Sequence, residues 1–212
     1  MISDDRERLI LQGQRRLREK LLGRRSLIQH PATRDLTAHL LLYVDSAPKC
    51  WELAAEWLRR EMDADRADGG FASAFDLTYS AHGQSLRSDR SVPSILGLRM
   101  EMTDPIVRSI WSRHEPILFN SIIKDPRFSP KTRADLAACG VRSKITIVLR
   151  GQCDQPVGLM CADSLDEDRE WRQNRCLQFK DTAAQVIGPV LSLAKLIAQK
   201  DFSGCIVPAK SS

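Results

Sequence analysis

The stretch RSKITIVLRGQCDQPVGLMCAD, residues 142–163, decides the fold. Residues 142–150 and 156–163 are rich in β-branched and aliphatic side chains and read as two strands. GQCDQ between them reads as a hairpin turn, so the pair is antiparallel. Pro156 stands at the start of the second strand, where a missing N–H is tolerated. Strand alternation puts Lys144, Thr146 and Val148 on one face and Ser143, Ile145, Ile147 and Leu149 on the other. Cys161 alternates with Leu159 and Val157, which reads as a buried thiol.

Outward from the hairpin the texture is helical. Toward the carboxyl end, residues 168–200 predict a long helix. Cys176, Ala183, Val190 and Ile197 take one heptad position, and Phe179, Val186 and Leu193 take the other, which predicts a dimer seam. Gly188-Pro189 inside it predicts a kink and a candidate hinge, because proline removes one backbone bond. Residues 201–212 read as a disordered tail. Toward the amino end, PKTRADLAACG reads as a helix closed by Gly140, PILFNSII as a short strand, and DPIVRSIWSRHE as a helix capped by Asp104. Residues 92–102 read as extended, and 66–80 as two strands around a turn. Residues 48–62 predict a helix with Trp57 inward, residues 34–44 one capped by Thr33, and residues 3–29 a basic helix with an Arg15–Glu19 pair on its outside. The paired carboxylates Asp63/Asp65 and Asp163/Asp166 read as solvated turn residues.

With 42% hydrophobic and 28% charged residues in 212, the chain has ordinary globular composition. The MISDDRERLI start has no apolar core of a signal peptide, and the apolar runs are short for a membrane span. Six cysteines without a CxxC pair fit free thiols, so a cytoplasmic setting is expected. The net charge of +5 comes mainly from eight basic residues between positions 6 and 25. No H-E-x-x-H, G-x-S-x-G, Walker or G-x-G-x-x-G pattern occurs, and no histidine pair has metal-ligand spacing. Neither enzyme activity, nor a metal, nor a cofactor is expected.

The order and spacing of WELAAEWLRREMDADRADGGF, DPIVRSIWSRHEPILFNSIIKDPRF, GVRSKITIVL and QPVGLMCAD resemble the GAF domain, a PAS-like sensor fold, over Trp51 to Ile197. The resemblance implies an α+β fold: a GAF-like central antiparallel sheet, with N- and C-terminal helices on one face and short helices and loops over a pocket on the other. It divides the chain into a helical extension (1–30), a sensor domain (31–200) and the tail. It implies a small-molecule-sensing regulatory domain of a bacterial signalling or transcription regulator, working as a homodimer through helices 3–29 and 168–200, with its effector not visible in these residues and no membrane partner. Asn120-Ser121 and Phe179 followed by KDTA depart from the cyclic-nucleotide pattern, and His82 and His114 lack a tetrapyrrole motif. Candidate ligand-binding residues are Trp111, Arg142, Thr146, Tyr79, Arg99 and Cys161. Arg142 could hold an anion bidentately. Alternatives are a nucleic-acid-binding regulator using the basic amino-terminal helix, and a thiol-dependent sulfoxide-reductase-like enzyme using Cys139 or Cys153.

Overall fold

The structure, a computed structural model, describes residues 8, 10–17, 19, 30–151 and 153–203, the last four as backbone alone. Its centre is a five-stranded sheet in the order β3-β1-β7-β6-β5, antiparallel throughout. The strands are β1 (Arg66–Phe71), β3 (Gly83–Leu86), β5 (Ile117–Phe119), β6 (Ser143–Arg150) and β7 (Pro156–Ser164). A separate pair joins β2 (Thr78–Tyr79) to β4 (Met100–Glu101).

Period-two alternation divides the core in two. Ala67, Ile145, Ile147, Leu149, Met160 and Ala162 face a helical layer. That layer comprises α1 (residues 10–17), α2 (Pro31–Leu42), α3 (Ala47–Met62), α6 (Gln173–Thr182) and α7 (Gly188–Ser203). Val148 and Leu159 face the other side, where α4 (Pro105–Ile110), α5 (Pro130–Ala138) and the β2–β4 pair form a second apolar cluster. Val157 breaks the alternation. Leu149 pairs with Gly158 and Arg150 with Pro156, so Val157 is an extra residue, a bulge that turns its side chain into the helical-side core.

The helical layer seats itself in notches left by glycine. A Cβ on Gly69 would lie 2.5 Å from the Trp51 ring, and one on Gly83 would lie 2.6 Å from Trp51 Cβ. Trp51, on α3, has no exposed surface and fills both notches. At Gly188 a Cβ would overlap the carbonyl oxygen of Arg150, so the long helix touches β6 backbone to backbone.

Several expectations change. Helix α2 starts at Pro31, a favoured first-turn position, so Thr33 lies inside it and meets Thr182 hydroxyl to hydroxyl at 3.3 Å. The first strand's neighbour is β3, unread in the sequence, and β2 leaves to pair with β4. The Gly188-Pro189 break is a π-helical turn over Ala183–Ile187, which accommodates the carbonyl displaced by the proline ring. The heptad residues Cys176, Phe179, Ala183, Val186, Val190 and Leu193 are all buried inside this one chain. Residues 201–203 belong to α7, while 204–212, and residues 3–7, 9, 18 and 20–29 of the expected amino-terminal helix, lie outside the described residues. Within α1, Leu17 is buried and Arg15 pairs with Glu19 at 2.9 Å. The helix Gln173–Gln199 is long and apolar enough to cross a membrane by length and composition, contrary to the reading of short apolar runs, yet 56% of its apolar 18-residue window is buried within the protein.

The Arg150–Gly188 contact generates a prediction. Backbone cannot give way as a flexible side chain can, so Gly188→Ala should destabilise by about 1–3 kcal/mol. Urea unfolding measures this; a shift within about 0.5 kcal/mol, ordinary for a surface change, would show the contact to be loose.

Candidate functional site

On the sheet face away from the helical layer lies a cavity of about 510 Å³. Its floor is the β6–β7 hairpin, through Lys144, Thr146, Leu159 and Cys161. Met100, Met102 and Tyr79 come from the β2–β4 side, Val107 and Ile110 from α4, and Leu136 and Cys139 from α5 and its cap. Phe119 and Phe128, 4.5 Å apart at their ring centres, complete the apolar wall. Leu98, Arg99, Lys131 and Ala138 also border it, and all four are exposed.

Asp104 ties the two short helices together. Its Oδ1 accepts the N–H of Ile106 at 3.0 Å and its Oδ2 that of Ser129 at 2.9 Å. The first bond caps α4, as the sequence predicts; the second anchors the residue that caps α5. Gly140 has φ of 78° and closes α5 as expected.

Under the floor the register aligns two rows of polar residues. Arg66, Asp163 and Lys144 lie side by side across β1, β7 and β6; Asp68, Cys161 and Thr146 form the next row. Asp163 has no exposed surface. Its Oδ2 accepts from Arg66 Nε at 3.0 Å and Nη2 at 2.7 Å, and its Oδ1 from Lys144 Nζ at 2.8 Å. Arg66 Nη1 donates further to the Pro93 carbonyl at 3.1 Å. Burial opposes the charge on Asp163, but Lys144 and Arg66 outweigh it and hold the carboxyl below its ordinary range. Asp68 goes the other way. Burial pushes it up, more than Lys144, the Tyr79 hydroxyl and Arg66 pull it down, with Asp163 adding repulsion. Tyr79 donates its hydroxyl to Asp68 Oδ1 at 2.7 Å, while Oδ2 has no partner. Burial, with Asp68 and Asp163 nearby, pushes the Cys161 thiol up to about 12, despite Lys144 and a 3.1 Å contact with the Thr146 hydroxyl. That thiol is a poor nucleophile at neutral pH.

Of the six candidates, Tyr79, Arg99, Thr146 and Cys161 line this cavity. Trp111 does not; it caps α4 from behind, buried in the same apolar cluster, and its carbonyl accepts from Arg150 Nη2 at 2.6 Å. Arg142 does not either. It precedes β6, half-exposed, 3.6 Å from Asp168, because its strand has not yet begun to alternate over the cavity. The sequence reading missed Asp68, Arg66 and Asp163 as members of the site. Asp163 is no solvated turn residue but continues the alternation of Leu159 and Cys161, a signal available in the sequence. Asp65 is likewise buried and accepts the N–H of Leu165 at 2.7 Å. His82 stacks edge-on against Phe71, and His114 pairs with Asp154 at 2.9 Å; neither lines the cavity. Cys139 borders the cavity at the cap of α5, whereas Cys153 is exposed in the β6–β7 turn and does not line it.

A sheet with helices on one face and a roofed cavity on the other defines a pocketed α+β domain. The model of the GAF domain matches residues 49–188, and the chain belongs to that family. Solved structures share the fold. The GAF domain of PixJ from Thermosynechococcus elongatus, in its blue-light absorbing form, is 19% identical with a TM-score of 0.59, over 76% of this chain and 92% of that one. A phycoerythrobilin-bound GAF domain from a cyanobacterial phytochrome is 18% identical with a TM-score of 0.57, over 83% and 97%. The chromophore-binding domain of the R. palustris bacteriophytochrome RpBphP3 is 15% identical with a TM-score of 0.57, over 81% and 62%. No curated protein sequence matches the chain.

Two predictions follow from the paired aspartates. Asp163→Asn strands the buried Arg66 and the part-buried Lys144 and should cost about 3–5 kcal/mol in denaturant unfolding; a loss below about 1 kcal/mol would mean the ion pairs are dispensable. Asp68 has a folded value above its unfolded one, so wild type is favoured below the ordinary carboxylate range and loses stability as pH rises through it. Asp68→Asn should therefore gain melting temperature on wild type between pH 4 and pH 8, in contrast to a pH-independent difference if Asp68 titrates normally.

Proposed function

We propose that this GAF domain is a ligand-sensing regulatory module whose cavity holds a small organic guest and whose terminal helices carry the response. The observation that supports this most is the cavity itself: mainly apolar walls with a few convergent polar groups, the usual make-up of a small-molecule site. The floor strand β6 also carries the contact to the long helix, at Arg150 and Gly188. Arg150 reaches the other way as well, to the Trp111 carbonyl at the end of α4, a wall of the cavity. A guest that favours one seating of α4 would thus bias the helix through one side chain, by the difference in its affinity for the two arrangements.

The family neighbours named with biliverdin and phycoerythrobilin suggest the general use of such a cavity. No histidine lines it among the described residues, and we read its guest as a smaller molecule than a tetrapyrrole. Binding rather than catalysis is the reading that Cys161, with its raised thiol, supports. In this proposal the output is transcription or another signalling step in the cytoplasm. Two copies would meet through outward leucines of the terminal helices, Leu11, Leu177 and Leu196, since the heptad seam is used internally.

A thermal-shift screen of metabolites, including aromatic acids and nucleotides, tests the reading against an Ala138→Trp variant that plugs the mouth from an exposed helix position. A ligand at a hundred times its Kd adds about 2.7 kcal/mol, a rise of about 5–10 °C for a chain this size. The expected result is such a rise in wild type and none in the variant. Equal rises in both, or none across the screen, would contradict it.

A further inference from the structure

The charge and donor balance of the cavity floor goes further than its shape. One carboxylate, Asp163, serves two cations, the buried Arg66 and the part-buried Lys144, and both its oxygens are taken. Asp68 is the other acid in the cluster, 1% exposed, with Oδ2 unpartnered. A buried ionised carboxylate with an empty oxygen is costly, so the neutral acid fits this geometry better. With Asp68 neutral, the cluster carries one positive charge in excess.

That excess faces the cavity. Lys144 lines it, and an ammonium has three donors, of which Asp163 accepts one among the described residues. Thr146 projects from the same face two residues along β6, and its hydroxyl meets the Cys161 thiol at 3.1 Å and the Met160 carbonyl at a long 3.4 Å, weak partners that an anion could replace. At the mouth, Arg99 is exposed and makes no ion pair among the described residues. Lys131 differs, being paired with Glu101 and Asp135. The walls between floor and mouth are apolar, through Met100, Phe119, Phe128, Leu136 and Leu159.

We infer that the guest is an organic acid, with an apolar body against these walls and its anionic end on Lys144 and Thr146 at the floor. Arg99 draws the anion to the mouth and does not hold it. The inference rests on the sensing function proposed for the same cavity. It names the chemical class: a single acidic group on a hydrocarbon or aromatic body, in preference to a neutral or cationic molecule of the same shape. At the mouth Glu101 and Asp135 balance Lys131 and Arg99, so the excess positive charge lies at the floor, where solvent is excluded and the acid comes to rest.

Three probes with one naphthalene body separate the alternatives: 1-naphthylacetate, its amide, and 2-(1-naphthyl)ethylammonium. Calorimetric titration of the full chain at pH 7.5 should show the acid binding about tenfold or more tighter than the amide, the worth of a hydrogen bond to a charged group, with the amine weakest. Lys144→Met should abolish that preference and leave the amide's affinity in place. Unchanged amide binding also shows that the variant is folded. Thr146→Val, which keeps the side chain's volume, should cut the acid alone by severalfold. Arg99→Gln, at an exposed position, should slow or weaken the acid modestly, and only at low salt. Equal binding of acid and amide, or a preference for the amine, overturns the acid while leaving a sensing cavity in place. Binding of none of the three, with wild type and Ala138→Trp indistinguishable, takes down both readings.

Discussion

Asp163 has no exposed surface and two cationic partners, and much of the domain is arranged so that this one carboxylate stays paired. Its partners stand on the strands to either side, Arg66 on β1 and Lys144 on β6. A slip of one residue between any two of these strands would send a charge into the helical-side core and leave another alone. Register is therefore fixed at the centre of the sheet by charge as well as by the apolar pattern. Pairing buried ions adds little net stability over apolar residues of the same size. What it provides here is a polar, pre-aligned floor in an otherwise apolar cavity.

The opposite face is governed by close approach. Trp51 fits against the sheet because Gly69 and Gly83 leave it room, and the long helix meets β6 because Gly188 does. These contacts are tight and involve backbone, which gives way less readily than a flexible side chain. The short helices on the cavity side are held differently, by Asp104 across their two caps and by Arg150 at the end of α4. A few hydrogen bonds are easier to rearrange than packed backbone. The division places the hydrogen-bonded short helices around the cavity and the close backbone contacts beside the terminal helices.

How much of this could be read in the sequence follows the range of the interactions. The β6–β7 hairpin, the Asp104 cap and the Gly140 stop depend on neighbours within a few residues, and all were legible. So was the GAF-like layout, through four stretches in order. The face of β6 that looks into the cavity was not, because only tertiary packing assigns it. Strand β3 carries Gly83 and two polar residues where a strand signal needs β-branched ones, and its reason lies in Trp51, thirty-odd residues earlier. The role of Asp163 depends on Arg66, 97 residues away. The heptad pattern of the last helix predicts a dimer seam, yet its residues pack into this chain's own core, because a seam alone does not say whether a second chain or the chain's own sheet covers it. Of the site, Tyr79, Arg99, Thr146 and Cys161 were within reach because each sits on a readable strand or its approach. Trp111 and Arg142 sit just beyond an element's end, where alternation no longer tells direction.

The central claim is that two aspartates on neighbouring strands differ in charge: Lys144 and Arg66 keep Asp163 ionised, while burial outweighs the same cations at Asp68 and keeps it protonated. Carboxyl carbon NMR of the ¹³C-labelled protein, followed through an acid titration, measures both directly. The account predicts that Asp163 stays ionised below the ordinary aspartate value of about 3.9 and that Asp68 takes up its proton above it. Two aspartates titrating together at the ordinary value would contradict it, and with it the charge balance of the cavity floor.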